Sequence, residues 1–462
     1  MPVLDPRPTL EAPDDDPYLW LEEIEGAQAL DFVAAQSAAT LRRFGDARFV
    51  AERDILKAIL DRPDNIPYPN RRAGKLFNPW QDAAHPRGVW RTTTLASFVS
   101  DAPDWDVLID VDALAVKDGE DWVWRGGVSL PPTHDRAIVQ LSRGGSDAVV
   151  LREFDRATRD FVPDGFNLGE SKSSAVWLDR DTLLLSSALG SGMATRSGYA
   201  RTVRLWRRGS DPLSASVVFE TTEEATGVWT IVDRDVPEER VWFVEQLGLI
   251  DANVWIGDRN GRKTRIDVPS DCWVQASRGW LAIKPRTPWN VGGETYETDT
   301  VVAMSFPAFV AGERRFTTLF KPSDRHALQG FFWCGGRLVL SILDDLKPVF
   351  VVLTPDGGAW SRAHRRPAGS RHGACLAARC LPRGIERRSA RPGARSAHPA
   401  LAVPDQAGRG AAGPQTRPAG FRPGRARHHP ARSDLERRHA HPLCAGRPAG
   451  RNRRGAGPSH RL

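Results

Sequence analysis

Short apolar and aromatic runs separated by polar, turn-forming sequence recur through much of this chain, and the clearest instance lies between residues 241 and 268. Val241-Trp-Phe-Val244 and Asn253-Val-Trp-Ile256 are aromatic and β-branched runs, and Asp258-Arg-Asn-Gly261 is turn-forming sequence ahead of a third run, Lys263-Thr-Arg-Ile-Asp-Val268. These residue types favour extended backbone, and Asn260-Gly261 is expected to supply the positive φ angles of a tight hairpin turn. The pattern predicts a strand meander.

The same grammar recurs on both sides. Lys75-Leu-Phe77, Val89 to Thr93 and Val107 to Val111 read as strands, and Ala137 to Leu141 and Ala148 to Phe154 flank Gly144-Gly145. Thr182 to Ser186 precedes Thr202 to Trp206, Gly279 to Ile283 precedes Thr300 to Met304, and Arg337 to Ile342 precedes Val349 to Leu353, with Pro355-Asp-Gly-Gly358 as a turn. The units repeat at roughly 40 to 60 residues, the length of one four-stranded propeller blade. Most of the 16 Trp lie in or beside these strands, where large flat side chains suit packing between stacked sheets. From Leu76 to Trp360 there is room for about five to six blades at that repeat length.

The pattern changes near the amino terminus. Leu30, Val33, Ala34, Ser37, Leu41 and Phe44 share one face at helical spacing, and Ile55, Leu56, Ile59 and Leu60 do the same within a second segment from Phe49 to Leu60. Each helix has one apolar face that it cannot bury alone. Asp61-Arg-Pro-Asp-Asn-Ile-Pro-Tyr-Pro69 then reads as a linker.

Charge divides by position. The stretch from Arg365 onward carries 22 Arg, no Lys and four acidic residues, which leaves 42 basic against 53 acidic residues in the body, so the overall +7 comes from the tail alone. An acidic body argues against nucleic-acid binding, and the tail lacks the aromatics or folded motif that stacking or base readout needs. No apolar run approaches the length of a membrane span, and Met1 to Leu10 has no signal-peptide pattern, so a cytoplasmic location without membrane contact is expected. Cys272 and Cys334 in the body and Cys375, Cys380 and Cys444 in the tail fit no zinc spacing and read as free thiols.

The order of Asp16-Pro-Tyr-Leu-Trp-Leu-Glu22, Ile66-Pro-Tyr-Pro69, Trp90-Arg-Thr-Thr-Thr-Leu95, Ser142-Arg-Gly-Gly-Ser-Asp-Ala148 and Arg152-Glu-Phe-Asp155 resembles the amino-terminal part of the prolyl oligopeptidase family. The resemblance implies a serine-type endopeptidase that hydrolyses short peptides, commonly after proline, with a seven-bladed propeller capping an α/β-hydrolase domain. It also implies that the amino-terminal helices pack on that domain, which holds the Ser, His and Asp of the triad.

After Trp360 the composition breaks. No Trp or Tyr follows, Lys347 is the last Lys, and Arg, Ala, Gly, Pro and His dominate. Such a tail is expected to be disordered. It is also what a shifted reading frame on a GC-rich gene yields. Residues 388–403 and 431–460 both back-translate, in the frame that starts at the second codon base, into strings that look like ordinary protein of the same family. The break is expected between Trp360 and Cys375.

Catalytic candidates in the body are weak. Gly144-Gly-Ser146-Asp-Ala148 and Gly169-Glu-Ser171-Lys-Ser173 come nearest to a nucleophile elbow, but Ser146 sits between two strands rather than between a strand and a helix. His85 and His134 read as loop residues, and Gly292-Gly293 and Gly335-Gly336 as turns, because no helix follows to complete a phosphate cradle. No catalytic, cofactor-binding or metal-ligating residue is assigned, and no cofactor is expected.

The expected fold is mainly β: an incomplete seven-bladed-type propeller over 73–362, after a helical extension over 1–72 and before a frameshifted tail over 363–462. The expected function is that of a truncated prolyl oligopeptidase-like peptidase, inactive as this chain; the alternative is a non-catalytic propeller that binds a peptide or protein. An unclosed ring would expose two apolar blade faces and drive aggregation or oligomerisation.

Overall fold

The structure, a computed structural model, describes residues 18–365 except 24–25, 63–64 and 235. Residues 366–462, with Cys375, Cys380, Cys444 and both back-translated segments, lie outside the described residues.

Six antiparallel sheets follow one another, spanning residues 70–110 (sheet I), 122–171 (II), 173–220 (III), 227–265 (IV), 273–320 (V) and 326–365 (VI). In each, four strands pair in chain order, the meander of a propeller blade. Sheet II adds Asn167–Ser171 on the strand Val149–Asp155, and in sheet V a hairpin of Trp289–Val291 and Glu294–Tyr296 is inserted between neighbouring strands. Sheet I begins at Asn70–Arg72, inside the segment expected to be helical extension, and sheet VI runs to Arg365, three residues past the expected end of the propeller.

The alternation of side chains between the two faces of a strand places the core. In the strand Thr182–Ser187, Leu183 and Leu185 pack toward sheet II while Leu184 packs toward sheet IV, and all three are fully buried. Every apolar cluster is shared by two sheets consecutive in sequence, from I with II through V with VI. Aromatic residues span these seams: Phe219 stacks on Phe243 at 4.9 Å between III and IV, and the Trp177 indole N–H donates to the Val128 carbonyl (2.8 Å) between III and II. Among the described residues no cluster joins sheet VI to sheet I. The face of sheet I turned away from II is mixed, not apolar as expected. There Arg91 lies over Trp80 (4.1 Å) and Trp105 (4.3 Å) and donates to Asn78 Oδ1 (3.1 Å).

Two helices precede the sheets, α1 (Ala27–Phe44) and α2 (Ala47–Leu60), the latter started by Asp46 accepting from the Phe49 N–H at 2.9 Å. Trp20 meets Phe32 edge-on at 5.7 Å, but otherwise the apolar stripes are bare. Leu30 is 53% exposed and Leu60 72%, α2 buries no residue, and α1 buries only Ala29.

Two local expectations are corrected. The strand expected to reach Val111 ends at Asp110, whose carboxylate accepts from the Ala113 N–H (3.0 Å) and starts a helix over Val111–Asp118; Gly119 closes it at φ 68°. At Asn260-Gly261 only Gly261 takes a positive φ (79°). The loop has five residues rather than two and is held by Asn260 N–H on Asp258 Oδ1 (2.8 Å), so Asn260 stays in ordinary backbone.

Candidate functional site

Ser146 occupies the turn between strands Arg136–Arg143 and Val149–Asp155, where its hydroxyl donates to the Ala148 carbonyl at 3.3 Å. A strand follows it, where an elbow needs a helix. Ser171 shares hydroxyl contacts with Ser173 and Ser187, 3.3 Å away, at the junction of sheets II and III. His85 Nδ1 is 3.0 Å from Asp82 Oδ1 inside its own loop, with no serine hydroxyl on it among the described residues. Gly292-Gly293 and Gly335-Gly336 are two-residue hairpin turns, all four glycines at positive φ. Cys272 is buried, which together with Asp271 pushes its thiol up to about 12, so it behaves as a small apolar side chain. Among the described residues no cluster of three or more His, Cys, Asp or Glu is placed to hold a metal.

One Ser, His and Asp set comes together that the sequence pattern does not announce. Ser323 Oγ lies 3.0 Å from His326 Nδ1, and His326 Nε2 lies 3.5 Å from Asp344 Oδ1, beside a cavity of about 710 Å³ lined by Lys321, Ile342 and Arg362. Its construction is that of a turn. The Ser323 and His326 backbones exchange two hydrogen bonds of 3.1 Å, and Ser323 Oγ also accepts from the His326 N–H at 3.2 Å. The hydroxyl is therefore a cap, His326 is half exposed, and the following segment is the strand His326–Cys334 rather than a helix that would aim backbone N–H groups at an oxyanion.

His134 stands elsewhere, in a cleft of about 410 Å³ between sheets I and II with Arg72, Lys75, Phe77 and Arg156. Burial, then Arg72 and Arg156, lowers its pKa below the ordinary histidine value, and its Nδ1 is buried without a partner. The Arg156 guanidinium lies over Phe77 (4.1 Å) and Trp90 (4.9 Å), donating to the His134 carbonyl and Ser129 Oγ, and burial followed by Arg72 lowers it to about 10. No serine hydroxyl reaches His134 among the described residues, so it is not the base of a triad.

The fold finds its counterpart in known proteins. The family described as prolyl oligopeptidase, N-terminal beta-propeller domain, matches residues 12–235. An uncharacterised peptidase of Sinorhizobium fredii is 31% identical over 371 residues, covering 78% of this chain and 51% of its own length. Residues 12–235 of this chain thus belong to the N-terminal propeller domain of the prolyl oligopeptidase family. An uncharacterised peptidase of Rickettsia prowazekii is 25% identical over 363 residues, 74% of this chain and 50% of its own length. A solved post-proline cleaving enzyme from Rickettsia typhi superposes with a TM-score of 0.70 at 24% identity, over 76% of this chain and 53% of that one, and oligopeptidase B from Leishmania major with 0.58 at 13% identity, over 75% and 48%. The chain thus spans about half the length of the relatives it matches. No described helix is long and apolar enough to cross a membrane.

Proposed function

We propose that sheets I to VI are the propeller lid of a prolyl oligopeptidase-type serine peptidase acting on short peptides in the cytoplasm, and that the chain as written does not catalyse. In this reading the residues ahead of Asn70 form the helical extension, 70–365 the lid, and the tail beyond a break between Trp360 and Cys375 is encoded in a shifted frame, in place of the remaining lid and the α/β-hydrolase sequence. The observation that carries it is the bare apolar face of each of α1 and α2, where Leu30, Leu41, Ile55, Leu56 and Leu60 are each more than half exposed. Faces of that kind are covered in a working protein, and the cover that fits is the hydrolase domain against which this family's amino-terminal helices lie. The Ser323, His326 and Asp344 set does not supply the missing triad, because its hydroxyl is engaged in its own turn.

Sequencing the gene between the Trp360 and Cys375 codons tests the proposal. The expected finding is a single-base insertion or deletion with an open hydrolase frame downstream. An intact frame through Leu462 overturns it and favours a propeller that binds peptide or protein without cleaving it.

A further inference from the structure

The cleft between sheets I and II has a use that the peptidase reading leaves unassigned. It opens where Arg72 and Lys75 flank the first turn of sheet I and where residues 130–135 and 156–159 of sheet II connect their strands. The two carboxylates at its edge are engaged: Asp106 with Arg159 at 2.6 Å, and Asp135 with Thr133 and Arg180. Among the described residues Arg72, Lys75 and Arg156 form no ion pair with a carboxylate, and only the charge of Asp135, itself engaged by Arg180, acts on Arg156. Arg72 donates only to the Arg71 carbonyl (2.8 Å), and Arg156 only to two neutral oxygens, with its Nε buried and unpartnered.

Half-buried guanidinium groups facing one another across a seam repel, and buried polar nitrogens without partners are rare in folded proteins. The local backbone adds a second mark. Ala73, His134 and Arg159, three of the seven non-glycine residues at positive φ among the described residues, all line this one cleft, and such strain concentrates at ligand sites.

We propose that this cleft binds a phosphate-class oxyanion, either inorganic phosphate or the phosphate of a small monoester, held between Arg72 and Lys75 of sheet I and Arg156 and His134 of sheet II. Guanidinium forks match phosphate oxygens in geometry as well as charge. Three cationic side chains and an imidazole offer more donors than the two oxygens of one carboxylate take up, whereas a phosphate monoester presents three free oxygens, inorganic phosphate four, and either up to two negative charges near neutral pH. Burial, Arg72 and Arg156 disfavour the charged form of His134, whose buried Nδ1 has no partner and adds a polar contact to the cleft. A ligand so placed bridges two blades and ties the first seam of the propeller. The proposal is independent of whether the chain is catalytic.

The test titrates the purified full chain with inorganic phosphate, against sodium chloride at matched ionic strength, reading heat of binding and thermal midpoint. Saturable heat and an upward midpoint shift are expected, weakened about tenfold by Arg72→Gln, reduced by Lys75→Gln, and unchanged by Lys347→Gln on sheet VI. Tighter binding of glycerol phosphate than of phosphate assigns the site to a monoester; equal or weaker binding assigns it to the free ion. Circular dichroism verifies folding of Arg72→Gln, and if that variant does not fold, Lys75→Gln at its exposed position decides. Absence of saturable heat, or heat that neither cleft variant alters, overturns the proposal.

Discussion

Glu153 of sheet II and Arg208 of sheet III form a two-pronged ion pair across a blade seam, with Arg208 Nη1 and Nη2 donating to the two carboxylate oxygens at 2.8 and 3.1 Å. The carboxylate side chain is 1% exposed and also accepts from the Phe166 N–H at 3.0 Å, while Arg136 stands 3.9 Å away. Removing Arg208 leaves a buried charge with only weak compensation, and a loss of about 3 to 5 kcal/mol is typical of such a break. Arg208→Ala is therefore expected to lower the urea midpoint far more than Arg196→Ala, whose ion pair is exposed. Equal midpoints for the two variants would show that the seam does not depend on the pair.

The chain is expected to stay unlabelled by a fluorophosphonate and to leave a chromogenic Gly-Pro substrate intact. Ser323 is the residue to watch, because it alone among the described serines contacts a His that also contacts an Asp. Labelling that vanishes in Ser323→Ala would convert the turn into an active site.

Asp135 gives a pH signature with a definite sign. Burial works against its charge, yet hydrogen bonds from Thr133 and Arg180 hold the carboxyl at about 2, below the ordinary value of about 3.9. A depressed folded-state value stabilises the fold above the unfolded value, and the contribution disappears as pH falls toward 2. The stability gap between wild type and Asp135→Asn should be full above about pH 4 and should close on acidification. A gap that stays constant across that window in pH-dependent denaturation would refute the assignment.

Purified chain is expected to self-associate through α1 and α2. Leu56→Glu with Leu60→Lys should shift sedimentation toward monomer while changing stability by less than about 0.5 kcal/mol for each exposed site. A chain already monomeric without these changes contradicts the expectation.

The strands were legible because their apolar and aromatic runs are short and bounded by turn residues, whereas the split of Leu183 and Leu185 to one face and Leu184 to the other emerges only from the pairing, since three consecutive Leu show no alternation. The helix at Val111–Asp118 carried its own signals, Asp110 at one end and Gly119 at the other, yet the apolar run before it read as continuous strand. The hairpin at 289–296 hid within sheet V because its three-residue strands are too short to show a period. His326 and Asp344 are brought opposite each other by strand register, and Arg72 and Arg156 by packing of two sheets. Proximity of that kind depends on tertiary structure, and no spacing along the chain announces it.

Because each apolar cluster is shared only by sheets adjacent in sequence, the folding free energy has the form of a one-dimensional nearest-neighbour sum rather than one indivisible core. A sheet emerging from the ribosome finds its docking surface already made by the one before it, and the longest wait is a single repeat. Damage then stays local. A defect in the seam of sheets V and VI costs that terminal coupling and leaves the couplings from I to V in place, so unfolding should proceed by fraying from the ends, with hydrogen exchange slowest in the strands of sheet III.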